Sequence, residues 1–188
     1  MKLFRTTEID TTELRVGDVI AFSLNDGEEV EAMAVKQESD GMLFCLVDCL
    51  ADEERMNKTD TNKGGYESSL LRKKLNTQII YRFPDDLREK MIAFPNGDLL
   101  RLPTEKEIFG ENRYGENEYE EAEQWEPMKL RRNRIAFEGK NGTWEWYWLQ
   151  NRVPSSAARF AVCYINGGAN YIDASASRGV RPAFKIAI

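Results

Sequence analysis

The sequence predicts one α+β domain, and three observations carry that reading. Apolar, β-rich runs open the chain, helical periodicity occupies its middle, and strand chemistry returns after residue 134. Strands and helices do not alternate and no segment repeats, which argues against a parallel sheet or a solenoid. The chain has 188 residues, 41% of them apolar and 11% aromatic. A chain of this length should bury roughly 70% of its unfolded surface, so a core without disulfide staples is expected.

Taken in order, residues 16–24, 30–36 and 42–50 form a β meander with reversals at Asn25-Asp26-Gly27 and Asp40-Gly41, both good hairpin signals. Residues 52–65 contain Asn57, Asn62, Gly64 and Gly65 and read as a loop. A helix begins near Tyr66: a serine can cap it, and Leu71, Leu75 and Ile79 recur every fourth residue on one face. It ends before Pro84, which opens a second helix over 85–91 with Asp85 and Asp86 where they favour the helix dipole. A strand over 99–102 follows the Pro95-Asn96-Gly97 turn. Thr104 and Glu107 have capping-box spacing ahead of a short helix to Phe109. Strands over 134–137, 143–149, 159–165, 169–172 and 180–188 complete a single domain spanning 1–188. Residues 1–13 are expected to form an N-terminal extension. Residues 111–133, with their run of Glu followed by Lys129, Arg131 and Arg132, read as a charged surface excursion.

The chain has no His and three Cys, which removes histidine acid/base chemistry, Ser/His and Cys/His dyads and nearly all zinc sites. The expectation is a protein that is not an enzyme and that needs no cofactor or metal. A net charge of −6 is the wrong sign for tracking phosphate backbones, so nucleic acid is not an expected partner. The sign is uneven, since residues 146–188 carry +4 and residues 1–145 carry −10. Met1-Lys2-Leu3-Phe4-Arg5 lacks the apolar core of a secretory signal, and no apolar run reaches membrane-spanning length. Synthesis ending in the cytoplasm, without a membrane partner, is the consequent expectation. Cys45, Cys49 and Cys163 read as reduced, buried thiols, and Cys163 has no neighbouring His or Lys to lower its pKa.

Two stretches carry the candidate site. Alternation places Trp144, Trp146 and Trp148 on one strand face and Glu145, Tyr147 and Leu149 on the other; such an aromatic row is either core or a stacking platform for a sugar or base. Asn166, Gly167, Gly168, Asn170, Tyr171, Asp173, Ser175 and Ser177 form a polar, small-residue stretch that suits a ligand-facing surface as well as plain turns. The candidate ligand-binding residues are therefore Trp146, Tyr147, Asn166, Asn170, Tyr171, Asp173, Ser175 and Ser177. The Glu run lacks the spacing of a calcium loop. Arg131, Arg132 and Arg134 could grip phosphate, but pairing with the nearby acids is the expected use.

Four segments in order support a resemblance. These are the strand Gly17 to Phe22; the helix around Leu70-Leu71-Arg72-Lys73-Lys74-Leu75; Leu99-Leu100-Arg101-Leu102-Pro103-Thr104-Glu105-Lys106-Glu107; and a C-terminal region running from Trp146-Tyr147-Trp148-Leu149 through Asn166-Gly167-Gly168 to Gly179-Val180-Arg181-Pro182-Ala183-Phe184. Together they resemble a bacterial and prophage domain family of unknown function with a C-type-lectin-like fold, akin to formylglycine-generating enzymes and to phage receptor-binding proteins diversified by retroelements. The resemblance implies a ligand-binding or display domain for a protein or glycan, on a host protein or in a virion. The alternative is a phage tail, decoration or self-assembling protein, hence a homo-oligomer. It also implies a structural Arg181, whose guanidinium ties loops together. Cys163 lacks the second cysteine that formylglycine-generating activity requires, and the lectin calcium triplets are missing. Residues 151–184 contain no Glu, Lys, Gln, Met or Trp, a composition that either adenine-directed codon diversification or a turn-rich β region produces.

Overall fold

The computed structural model describes residues 13–116, 122–139 and 142–187. Most of the expected N-terminal extension, the middle of the Glu run at 117–121, residues 140–141 and Ile188 lie outside the described residues. The fold is mixed α/β, with mostly antiparallel strands and few, short helices.

The meander forms as β1 (Val19–Ser23), β2 (Glu29–Glu38) and β3 (Gly41–Leu46), and β4 (Glu54–Arg55) is a short strand in the loop that follows. Helices α1 (Leu70–Thr77) and α2 (Asp85–Arg88) precede β5 (Met91–Ile92) and α3 (Glu105–Phe109). The C-terminal part supplies β6 (Ala136–Phe137), β7 (Trp144–Glu145), β8 (Tyr147–Arg152), β9 (Arg159–Cys163), β10 (Ala169–Asp173), β11 (Ser177–Arg178) and β12 (Ala183–Ile186). One sheet has the order β1-β2-β3-β12-β5, so the last strand returns beside the N-terminal meander. A second has the order β10-β9-β8, and two ribbons pair β11 with β4 and β6 with β7.

Strands β3, β8, β9 and β12 are buried on both faces. Strand alternation sends Met42, Phe44 and Leu46 of β3, Trp148 of β8, Phe160 and Val162 of β9 and Phe184 of β12 into one core. Leu43, Cys45, Tyr147, Leu149, Ala161, Cys163 and Ala183 enter the other. Leu71 and Leu75 of α1 with Ile79, Ile80 and Phe83 close the first core, where the Phe184 ring lies 5.7 Å from Phe44 and 5.6 Å from Phe83. Ile108 of α3 with Trp125 and Met128 closes the second.

Several boundaries differ from expectation, each for a local reason. The long first helix is α1 flanked by 3-10 turns at Tyr66–Ser68 and Ile79–Arg82, because Ser69 takes an extended conformation and caps α1 by accepting from Arg72 N at 3.1 Å. The second helix stops at Arg88, since Met91 and Ile92 pair with β12. Residues 99–102 make a single bridge, Arg101 to Ala183, rather than a strand. Asn76 takes the place of a strand partner: its Oδ1 accepts from Leu99 N and Leu100 N, and its Nδ2 donates to Leu100 O. The charged excursion is partly core, because Trp125 and Met128 stand only 2% and 0% exposed. Its acids masked these apolar residues. Among the described residues Arg131 and the neighbouring Arg134 donate to the carbonyls of Asn166 and Met128 and pair with no carboxylate.

The capping box of α3 is complete: Glu107 N donates to Thr104 Oγ1 at 3.1 Å and Thr104 N donates to Glu107 Oε2 at 2.8 Å. The same carboxylate receives a two-pronged contact from Arg101, at 2.8 and 2.6 Å, so one glutamate caps a helix and neutralises a buried cation. Arg181, 1% exposed, donates to Leu46 O at 2.7 Å, to Tyr147 Oη at 3.1 Å and to Asn133 O at 3.1 Å. It thereby ties β3, β8 and the segment before β6 to the last strand.

Candidate functional site

The site lies on β10, an edge strand that among the described residues pairs with β9 alone. Its register sets Asn170 opposite Val162, Tyr171 opposite Ala161, Ile172 opposite Phe160 and Asp173 opposite Arg159. Alternation then divides the candidate residues. Ala169, Tyr171 and Asp173 share the face of Ala161 and Cys163, whereas Asn170 and Ile172 share the face of Val162 and Trp148. All five residues of β10 are half-buried.

On the first face Tyr171 is held on both sides. Its ring meets Tyr114 edge-on at 4.9 Å and lies 5.1 Å beneath the Arg159 guanidinium, which donates to Asp173 Oδ1 at 2.8 Å. Tyr114 reaches that position because the buried Glu105 carboxylate gathers its loop: Arg113 N, Tyr114 N and Gly115 N all donate to it, the last at 2.7 Å. A side chain at residue 115 would stand 2.2 Å from Asn151 Cβ, so the loop closes on Glu105 only with glycine there. Burial pushes the Glu105 carboxyl above its usual range, and these amide donors offset part of that rise. On the opposite face Trp146 packs edge-on against Tyr164 at 4.4 Å with the Arg178 guanidinium 4.9 Å over its ring.

The remaining candidates stand elsewhere. Tyr147 is fully buried, with its hydroxyl donating to Arg134 O and accepting from Arg181, so it belongs to the frame and not to the surface. Asn166 is exposed at the tip of the β9–β10 hairpin, where its Oδ1 accepts from Gly168 N at 2.9 Å. Ser175 N donates to Asp60 Oδ1, and these bonds hold that carboxyl below its usual range. Ser177 pairs with Arg55 and lines a groove of about 780 Å³ between α1 and the β4–β11 ribbon. The aromatic row grades along its length from Trp148 in the core, through half-buried Trp146, to Trp144, which is 58% exposed.

Beside Tyr171 lies a cleft of about 290 Å³ that the sequence did not reveal as a unit; Phe109, Arg113, Tyr114, Arg131 and Arg134 line it together with the hairpin tip. Arg113 and Tyr114 carried no signal beyond their place in an acidic run, and only the loop that Glu105 gathers brings them here. The thiols are poorly placed for nucleophilic chemistry, because burial pushes both Cys45 and Cys163 up to about 11. Glu145 is also raised, by burial and then by the neighbouring Glu53 carboxylate. Among the described residues no group of three or more Cys, Asp or Glu is arranged to hold a metal, and no helix is long and apolar enough to cross a membrane.

Comparison with the curated proteins and comparison with the solved structures each found no match. The model of a family described as a domain of unknown function, DUF6273, matches residues 40–188, which include β3 to β12, Arg181 and the whole β9–β10 hairpin. The chain belongs to the DUF6273 family.

Proposed function

We propose that this chain is a non-enzymatic ligand-binding and display domain with a C-type-lectin-like fold, of prophage or gut-bacterial type, whose ligand is a protein or a glycan. The return of β12 to the N-terminal sheet, with a second sheet built from β8 to β10 beside it, supports the fold reading. The observation that carries the functional reading is the β9–β10 hairpin. It presents half-buried polar and aromatic side chains on an edge strand, while β8 and β9 behind it are packed into two cores. Rigid support beneath a variable surface is the usual arrangement for recognition.

A binding screen of the folded chain on immobilised glycans and peptides tests this reading. A saturable ligand whose affinity falls at least about tenfold in Tyr171→Ala, with folding intact, is the expected result. Absence of any saturable ligand overturns it in favour of the assembly reading. That second reading draws on Phe137 and Trp144, which face each other across β6 and β7 and are 41% and 58% exposed. Sedimentation analysis finding a dimer that Trp144→Ser disperses would support assembly.

A further inference from the structure

We propose that the cleft at the tip of the β9–β10 hairpin is an oxyanion site, in which Arg131 and Arg134, assisted by Arg113, grip a phosphate, sulfate or carboxylate group of the ligand. The inference deepens the binding reading and rests on it. In a chain of net charge −6, three arginines line one small cleft, and among the described residues no carboxylate lines it. Two of the three are already oriented by their Nε atoms: Arg131 donates to Asn166 O at 2.8 Å and Arg134 donates to Met128 O at 2.6 Å. Each such bond occupies one edge of a guanidinium, and its terminal N–H groups remain to form the fork that matches a planar or tetrahedral oxyanion. Among the described residues neither Arg131 nor Arg134 forms an ion pair with an acid; Arg113 pairs with Glu111 at 2.6 Å, both more than half exposed.

The backbone around the cleft is shaped for this closeness. Gly167 has a φ of 73°, and a side chain there would meet Arg131 O at 2.8 Å and Arg134 Cβ at 3.3 Å. Glycine therefore lets the 3-10 turn Arg131–Arg134 approach the hairpin tip and brings its two arginines to one rim. A Cβ on Gly168 would stand 3.6 Å from Arg131 Nη2, so that guanidinium lies directly beside the turn. Phe109, 5.7 Å from the Arg134 guanidinium, and Tyr114 supply an apolar wall. The volume suits a single sugar or phosphate group rather than a polymer.

The test is a titration of the full chain followed by amide NMR at fixed ionic strength, with inorganic phosphate, glucuronate and neutral glucose as probes. Saturable shifts of Gly167, Gly168 and Tyr114 are expected with phosphate or glucuronate and not with glucose. Tighter binding of glucuronate identifies a sugar-borne anion, and phosphate at least as tight identifies a free or ester phosphate. Arg131→Ala with Arg134→Ala should weaken binding at least about tenfold, the loss expected for charged hydrogen bonds, while Arg132→Ala should not. Gly168→Glu, which places a carboxylate beside Arg131, should abolish binding and keeps the inference testable if the double variant fails to fold. Unsaturable shifts, or binding indifferent to these changes, overturn it. Glycan or peptide binding retained alongside that failure would sink the oxyanion site alone; loss of both would sink the display reading as well.

Discussion

Strands β3 and β10 have nearly the same length and opposite fates. Every residue of β3, Gly-Met-Leu-Phe-Cys-Leu, is buried, and every residue of β10, Ala-Asn-Tyr-Ile-Asp, is half-buried. The cause is position as well as composition. β3 lies in the middle of five strands with a core on each face, whereas β10 is an edge with one neighbour. Stability is thus concentrated in the frame and chemical variety at its border. A surface that must differ from one ligand to the next is best carried where its side chains hold little of the core.

Breaking the frame should have the largest effect. Arg181→Ala removes a buried cation that binds three elements through Leu46, Asn133 and Tyr147. A loss of about 3–5 kcal/mol in urea unfolding is expected, from the cavity left behind and the buried acceptors stripped of their donor, enough to unfold a marginal domain. Glu107→Ala leaves the Arg101 guanidinium buried without its carboxylate and also opens the α3 cap, so a loss of about 3 kcal/mol or more is expected by the same assay. On the β10 side, Tyr171→Ala loses its ring contacts with Tyr114 and Arg159 and should cost about 1–2 kcal/mol, while reducing ligand binding. A stability loss in Tyr171→Ala equal to that in Arg181→Ala would erase the distinction between frame and border.

The thiols sharpen the comparison by pH. Cys45 and Cys163 are pushed up to about 11 by burial, so the folded state keeps protons that the unfolded chain releases near 8.5. Stability is therefore full below about pH 8.5 and falls as pH rises toward 11, by on the order of 3 kcal/mol per thiol. Chemical unfolding between pH 8 and 11 measures this; burial raises the Cys49 thiol in the same direction, so replacing Cys45, Cys49 and Cys163 together with Ala should reduce the slope. The smallest effect is at the surface. Glu145 is raised by burial and by Glu53, so its charge is a strain at neutral pH that acid relieves. Glu145→Gln should raise the melting temperature slightly at pH 7 and change nothing at pH 4.

How far these features could be read from sequence follows the range of the interactions behind them. The meander turns, the face carrying Leu71 and Leu75 and the Thr104–Glu107 capping box depend on residues a few positions apart, and they stand where the spacing puts them. Position in a sheet is different. Alternation correctly separated Trp148 from Tyr147, but no local signal told that both faces of β8 are covered, and so Tyr147 reads as surface in the sequence and is core in the fold. Trp125 and Met128 were hidden by the acids around them. The arginine cleft was least legible, because it joins residues 109–114, 131–134 and 167–169 through a loop gathered by a buried glutamate.

In the proposed reading the frame holds the fold while β10 presents. Randomising Asn170, Tyr171 and Asp173 together and measuring urea unfolding across the resulting set separates the two roles. Most variants should unfold cooperatively within about 1–2 kcal/mol of the parent, as expected for partly exposed positions, while ligand binding varies widely among them. A set in which most members fail to fold would mean that β10 is part of the frame, and the distinction drawn here would be wrong.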